Sequence, residues 1–170
     1  MPIYSLEYII DEISFMTQET RPTAADIKDF ATRHFVTNSL VTARTQKLLD
    51  QFGFTQTQLN LLTNISRWPT EEPAPRVGEL AAAVEITQPA ATKLVTKFQN
   101  LGLIEFVSEV SDKRVKQVRI TQTGRDLAHK MEMALYPDMA DWFADWDRDH
   151  LLAFTALQKR LGVWLENNRL

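Results

Sequence analysis

The feature that most constrains the fold is a pair of helical segments joined by a connection too short for anything but a tight turn. Residues 77–84 read Val-Gly-Glu-Leu-Ala-Ala-Ala-Val, a short helix rich in small residues, and only Glu85 and Ile86 separate them from Thr87. Thr87 is a typical N-cap residue, and Pro89 is tolerated in the first turn of the helix that follows. Two helices joined by so few residues predict a helix-turn-helix.

The second helix of this pair, residues 87–101, has one apolar and one polar face. Helical spacing of three and four predicts a buried row made of Ala91, Leu94, Val95, Phe98 and Leu101. The outward positions, with the cap, carry small, polar and basic side chains: Thr87, Gln88, Pro89, Ala90, Thr92, Lys93, Thr96 and Lys97. A small, basic exposed face is what a helix needs to enter the major groove of DNA.

A β-hairpin is predicted directly after this helix. Gly102 ends the helix, and residues 103–107 and 115–120 are β-branched and aromatic runs typical of two paired strands. Residues 108–114 between them are polar and too many for a two-residue turn. The hairpin is therefore expected to project as a wing, whose charged end carries Asp112, Lys113, Arg114 and Lys116.

Helices on both sides make the predicted fold mainly α. Apolar spacing predicts a short helix over residues 4–16 and a long one from Thr23 to Phe52, which Gly53 can end in the left-handed conformation. Thr55 caps the next helix, the three prolines of residues 68–75 predict a loop, and Thr121 begins the C-terminal helices. The predicted organisation is residues 1–54 as an N-terminal frame, 55–120 as a winged helix-turn-helix lobe and 121–170 as C-terminal helices.

Charge is unevenly distributed along the chain. The net charge is −3, but residues 76–125 hold eight basic and five acidic side chains, and the remainder holds 11 and 17. A basic middle between acidic ends indicates a central unit that binds an anion. No apolar run approaches the roughly 18 residues of a membrane span, and the N-terminal residues carry acidic side chains without a basic start. The protein is expected to stay in the cytoplasm, without a membrane partner.

Several classes of chemistry are disfavoured by the composition. The chain has no cysteine, and His34, His129 and His150 lie on different segments, so neither a metal site nor a cofactor is expected. No Gly-x-Ser-x-Gly, His-Glu-x-x-His or phosphate-binding glycine loop occurs, which argues against an enzyme. A winged helix used for protein contact remains the alternative to DNA binding, and its sign would be an acidic or apolar recognition face.

The motifs from residue 77 to residue 124, taken in order, resemble those of the multiple antibiotic resistance regulator (MarR) family. They are Val-Gly-Glu-Leu-Ala, Thr-Gln-Pro-Ala-Ala-Thr-Lys-Leu-Val, Leu-Gly-Leu-Ile, a wing with Asp112-x-Arg114, and Ile-Thr-x-x-Gly ending at Gly124. The resemblance extends from about Thr23 to the C-terminus. Two departures stand out, because Glu85 occupies a turn position that is often small or glycine and the loop of residues 68–75 is longer than usual.

The resemblance implies a homodimeric transcriptional regulator that binds double-stranded DNA. Arg114 would enter a minor groove, oriented by Asp112, and the terminal helices would pair two chains. Residue chemistry suggests that Gln88 reads adenine, that Thr92 contacts a thymine methyl or a phosphate, and that Lys93 and Lys97 hold phosphates, with further backbone contacts from Lys113 and Lys116. The family also implies a small aromatic effector, for which a cleft lined by Phe30, His34 and Asn38 is the hypothesis. Repression is the simplest mechanism, and activation fits the residues equally.

Overall fold

The computed structural model describes residues 21–69, 71–108 and 116–168. The described elements, in chain order, are α1 (Ala24–Leu49), a 3-10 turn (Asp50–Phe52), α2 (Gln56–Arg67), α3 (Val77–Ala83), α4 (Gln88–Asn100), β1 (Ile104–Ser108), β2 (Lys116–Ile120), α5 (Gln122–Asp141) and α6 (Arg148–Asn167). This mainly helical architecture with a small antiparallel hairpin confirms the predicted fold class. The predicted helix over residues 4–16 lies outside the described residues.

The chain forms two compact units, Met1–Arg44 and Thr45–Leu170. The described part of the first unit is the N-terminal part of α1, which begins as predicted at Thr23. The Thr23 hydroxyl and backbone N–H donate to Oδ2 of Asp26 at 2.6 and 2.8 Å, and these bonds hold the pKa of Asp26 below its ordinary value. The predicted three-part division of the chain, with boundaries after residues 54 and 120, stays a prediction.

The second unit is built around one hydrophobic core. Its fully buried side chains come from most of the elements of the unit and include Leu49, Leu61, Leu62, Leu80, Val95, Phe98, Val118 and Met131. Two predicted caps mark the end of one helix of this core and the start of the next. Gly53 has φ +67° and ends the long first helix and its 3-10 turn, as predicted, and the Thr55 hydroxyl accepts from the backbone N–H of Gln58 at 3.3 Å.

A third backbone segment pairs with the hairpin, and the sequence did not predict it. Strands β1 and β2 pair in antiparallel register from Ile104 with Ile120 to Ser108 with Lys116. On the other edge of β2, the backbone N–H of Val118 donates to the carbonyl of Pro75 at 2.8 Å. The last residues of the proline-containing loop thus complete the sheet edge, because proline lacks an N–H but retains a carbonyl that accepts. The loop predicted from sequence is correct, but its end is ordered by pairing.

The junction between β2 and α5 ties the hairpin to the end of α4. The Thr121 hydroxyl donates to the carbonyl of Gly102 at 2.7 Å and accepts from the N–H of Gly124 at 3.1 Å, while the N–H of Thr121 donates to the carbonyl of Leu103 at 3.0 Å. One threonine therefore caps α5 and fixes it to the residues that end α4. The side chain that caps the helix was predicted, but its second contact depends on the tertiary fold.

Glu85, in the turn between α3 and α4, has φ +53°, whereas the other described residues with positive φ are Gly53 and Gly102. A residue with a Cβ pays roughly 1–2 kcal/mol in this left-handed region. We expect Glu85→Gly to raise the free energy of unfolding by about 1 kcal/mol, because the greater freedom of glycine in the unfolded chain offsets part of the relief. Urea denaturation of Glu85→Gly and of Glu85→Ala separates the two effects. Equal changes in both variants would assign the effect to the lost carboxylate instead.

Candidate nucleic-acid interface

The predicted helix-turn-helix is present, with α4 as its second helix. The Thr87 hydroxyl accepts from the backbone N–H of Ala90 at 3.4 Å, and Pro89 lies in the first turn. At the other end, Gly102 has φ +69°, and its N–H donates to the carbonyl of Gln99 at 2.9 Å. Both ends of the predicted recognition helix are thus confirmed to within one residue of the predicted span.

The inner face of α4 agrees with the periodicity except at its end. Ala91, Val95 and Phe98 are buried, and Leu94 is half-buried. Leu101, predicted to be buried, is 50% exposed. The prediction was wrong there because Leu101 is the C-cap residue, where the helical spacing no longer decides which way a side chain faces.

The outer face of α4 is polar and open. Thr87, Gln88, Pro89, Thr92, Lys93 and Thr96 are exposed, and Ala90 and Lys97 are half-buried. The Thr92 hydroxyl donates to the carbonyl of Gln88 at 2.9 Å, and the Thr96 hydroxyl donates to that of Thr92 at 2.8 Å. With their hydrogens engaged, both hydroxyls can still accept, and their methyl groups can pack on an apolar surface. This arrangement suits base edges and thymine methyls better than phosphates, which are acceptors themselves.

The two lysines of α4 have different surroundings. Lys93 is exposed one turn before Lys97. Lys97 Nζ donates to Oε1 of Gln58 at 3.2 Å and lies 5.2 Å from the centroid of the Phe54 ring. Sequence periodicity placed both lysines on the outer face, but it carries no information about a partner 39 residues away. The nearest signal was the capping-box spacing of Thr55 and Gln58, which marks Gln58 as an ordered amide.

The wing is described only at its base. Asp112, Lys113 and Arg114 lie outside the described residues, and Lys116 is placed at the start of β2 by its backbone. The pairing of Ser108 with Lys116 confirms that the hairpin extends to the beginning of the predicted tip. The DNA contacts of the four wing residues stay predictions.

A cavity of about 600 Å³ lies in the second unit, between α2, the end of α3 and α5. Its polar wall includes Asn60, Asn64 and Tyr136, and Oε1 of Glu132 accepts from the guanidinium of Arg67 at 2.8 Å. The predicted effector residues Phe30, His34 and Asn38 are not among those that line this cavity; they are exposed on the first unit, where the rings of Phe30 and His34 stack with centroids 5.6 Å apart, and their role stays a prediction. On α2, the polar side chains of Asn60, Asn64 and Arg67 reach this cavity from helical spacing on one face.

Neither a cluster of metal ligands nor a membrane-spanning helix occurs in the part of the chain that the structure describes. Within residues 21–69, 71–108 and 116–168, no group of three His, Asp or Glu side chains is placed to hold a metal ion. The helices of these same ranges do not combine the length and apolar composition that crossing a membrane requires.

A family model described as MarR family matches residues 52–115, from the end of the 3-10 turn through α4 to the wing. Over this segment the chain is similar to the MarR family. The match covers the helix-turn-helix described above and confirms the resemblance on which the sequence interpretation depended. MarR proteins are DNA-binding transcriptional regulators and are generally not enzymes.

Solved structures share the fold over most of the chain. A MarR family protein from Bacillus stearothermophilus is 17% identical, with 86% of this chain and 99% of that chain covered and a TM-score of 0.72. AbsC, a MarR family transcriptional regulator from Streptomyces coelicolor, is 22% identical, with 87% and 99% covered and a TM-score of 0.70. The transcriptional regulator BldR from Sulfolobus solfataricus is 22% identical, with 83% and 99% covered and a TM-score of 0.65. The MarR fold therefore extends beyond the matched segment.

Proposed function

We propose that this protein is a sequence-specific transcriptional repressor that binds a pseudo-palindromic operator as a homodimer in the cytoplasm. The observation that carries the proposal is the outer face of α4, where Gln88, Thr92, Lys93 and Thr96 are exposed while the opposite face is buried. A helix held this way by a compact lobe can enter a major groove without rearranging the core. An acidic or apolar face, which a protein-contact module would show, is not what α4 presents.

Base reading is assigned to the amino-terminal half of α4. Gln88 is exposed in the first turn, where recognition helices usually contact bases, and its amide can pair with adenine through one donor and one acceptor. Thr92 lies one turn later on the same row and presents its methyl group, since its hydroxyl hydrogen is donated to the Gln88 carbonyl. Lys93 supplies a positive charge to a phosphate. Thr87, Pro89, Ala90 and Thr96 would then shape the contact surface around these three.

Dimerisation is supported by apolar surface that the described residues leave uncovered. Helix α6 buries none of its residues, and its exposed apolar side chains include Phe154, Leu157, Leu161, Trp164 and Leu165, which share one face by helical spacing. On the first unit, α1 exposes Ile27, Phe30, Phe35, Val36 and Leu40. Clusters of large exposed apolar side chains on one helix face are typical of interaction sites. A second copy of the chain also supplies the second recognition helix that an operator with half-sites about 34 Å apart requires.

The direct test of the proposal is selection of genome fragments by the purified protein at physiological salt. Enriched fragments are then titrated by fluorescence anisotropy. The expected result is an inverted repeat with half-sites one helical turn apart, bound roughly 1000-fold or more tightly than random DNA of equal length. Enrichment of no sequence, with weak binding that salt abolishes equally for every fragment, would contradict the proposal and leave a role in protein contact.

Arg114→Ala and Lys93→Met are expected to weaken operator binding in different ways. Arg114 is proposed to enter a narrow minor groove, so its loss should matter most for operators with A·T-rich flanks. Lys93 is proposed to contact a phosphate, so its loss should weaken all sequences alike and reduce the slope of log K against log salt by about one. Anisotropy titrations on flank variants at several salt concentrations make the comparison. Equal losses on every flank for both variants would contradict this division.

Release by a small effector is the proposed regulation, with the cavity between α2 and α5 as its site. The cavity combines apolar walls from Leu59 and Leu135 with the polar groups of Asn64 and Tyr136, which is the usual composition of a ligand pocket. A ligand there would bias the position of α2, which packs on both α3 and α5. Thermal melting with salicylate-like aromatic compounds, followed by operator titration at saturation, tests this. The absence of any compound that both raises the midpoint and releases the operator would contradict this regulation.

A further inference from the structure

We propose that Lys97 is a positioning residue: its ammonium group fastens the carboxyl-terminal half of α4 to the start of α2, instead of contacting a DNA phosphate. The functional part of this inference rests on the DNA binding proposed above. The contacts on which it depends lie within the second unit and exist without DNA.

The half-buried Lys97 side chain contacts two residues, one just before α2 and one in its first turn. Its Nζ is 3.2 Å from Oε1 of Gln58 and 5.2 Å from the centroid of the Phe54 ring. Phe54 is 6% exposed and stacks on Phe98, the next residue of α4, with ring centroids 6.0 Å apart and planes at 16°. Two consecutive residues of α4 thus contact the same aromatic ring, which restricts the rotation of α4 at this point.

Gln58 is an acceptor with a fixed position. Its Oε1 also accepts from the backbone N–H of Thr55 at 3.1 Å, and its own backbone N–H donates to the Thr55 hydroxyl at 3.3 Å. This capping box fixes the position of the Gln58 amide without any contribution from Lys97. If Lys97 moved to a phosphate, Gln58 would lose a charge-assisted hydrogen bond and the Phe54 ring would lose its cation. The free protein therefore holds this ammonium in place with contacts that DNA would have to replace.

The amino end of α2 explains why a lysine here needs such partners. The first turn of a helix carries a partial positive charge, which disfavours a neighbouring cation. The Gln58 carbonyl oxygen and the face of the Phe54 ring supply the negative potential that compensates it. Lys93 offers the matched control, because it lies one turn earlier on the same helix and is exposed.

Operator titrations of Lys97→Met and Lys93→Met distinguish positioning from phosphate contact. Methionine keeps an unbranched apolar stem and removes the charge. For Lys97→Met we expect a loss of roughly tenfold in operator affinity, similar to the loss of one base contact, with an unchanged salt slope and little change on random DNA. For Lys93→Met we expect losses on both DNAs and a slope smaller by about one. Lys97→Arg, which can keep both contacts, should restore operator affinity. A slope reduced by about one in Lys97→Met would overturn the proposal.

A spectroscopic arm tests the contact itself and does not need DNA binding to succeed. In protein labelled with ¹³C at the lysine Cε positions, the Lys97 signal, assigned by its loss in Lys97→Met, should be shifted upfield by the Phe54 ring relative to Lys93. The shift should disappear in Phe54→Leu and persist when the selected operator is saturated. If Phe54→Leu does not fold, comparison of Lys97 with Lys93 in the unsubstituted protein decides the same point.

The operator titrations and the NMR measurement together distinguish failure of this inference from failure of the proposed function. An ordinary lysine chemical shift for Lys97 in the free protein would overturn the positioning role whether or not DNA binds. Collapse of the shift on operator saturation would show that the ammonium leaves Phe54 for a phosphate, and would overturn it as well. Absence of any DNA binding with a retained upfield shift would remove the proposed function and, with it, the DNA part of the positioning role.

Discussion

Leu157→Glu on α6 is expected to sediment as a single chain at micromolar concentration and to lose specific operator binding. Leu157 is 54% exposed and lies within the apolar face of α6 assigned above to the partner chain. Burying this leucine at an interface is worth about 2 kcal/mol, and a buried unpaired carboxylate adds a further cost. Because twofold symmetry places the substitution on both chains, the free energy of dimerisation loses this contribution twice. Operator affinity should fall by roughly 1000-fold, towards the affinity for random DNA.

The matched control is Thr155→Glu, which adds the same charge to the same helix. Thr155 is exposed, and its hydroxyl donates to the carbonyl of Leu151 at 2.8 Å, on the polar side of α6. This variant should remain dimeric and bind the operator normally. Sedimentation velocity gives the mass, and circular dichroism confirms that both variants are folded. A Leu157→Glu protein that still sediments as a dimer would exclude this face of α6 as the dimer interface.

Among alanine substitutions of the described glycines, Gly124→Ala is expected to lower the free energy of unfolding most. A Cβ built on Gly124 would overlap the carbonyl oxygen of Leu103 and lie 2.8 Å from Cγ1 of Ile120. The Leu103 carbonyl also accepts from the N–H of Thr121 at 3.0 Å, so it cannot move away without breaking that bond. Overpacking usually costs about 1–3 kcal/mol, and a clash with backbone should reach the upper end of that range.

Gly78→Ala is the control for the same change at a permissive position. A Cβ at Gly78, within α3, would meet Nε2 of Gln88 at 4.0 Å, which is an ordinary contact. Alanine there should stabilise the protein by up to about 1 kcal/mol because it is the better helix former. Urea denaturation monitored by circular dichroism compares the two variants. Equal stability of Gly124→Ala and the parent protein would mean that the junction between β2 and α5 relaxes freely, contrary to the packing described.

The contrast between Lys93 and Lys97 shows what periodicity can and cannot predict. Both lysines were placed on the outer face of α4 by the 3.6-residue period, and the helix has that orientation. Periodicity predicts which way a side chain points from the helix axis. It does not predict which side chains of another segment pack against that face. Phe54 and Gln58 reach Lys97 because the 3-10 turn and Gly53 redirect the chain into α2, so the environment of Lys97 depends on a fold made by distant residues.

The local signals of the sequence determined most of the fold of this protein. Thr23, Thr55, Thr87 and Thr121 begin helices as predicted, because a threonine hydroxyl at the N-cap accepts a backbone N–H that would otherwise lack a partner. Gly53 and Gly102 adopt positive φ where the helices they follow end. The hairpin and the small polar outer face of α4 were predicted from local patterns too, namely β-branched runs and helical spacing. Each of these features depends on residues within a few positions of one another.

Only the tertiary structure decided the features that join distant segments. The bond from Val118 to Pro75, the cavity between α2 and α5, and the partners of Lys97 all link residues more than 30 positions apart. The left-handed conformation of Glu85 is also not a local preference, since a side chain with a Cβ disfavours it. The exposure of Leu101, in contrast, follows from its place at the C-cap, where the helical period ends. Local chemistry sets where elements begin and end, whereas their contacts follow from minimising exposed apolar surface over the whole unit.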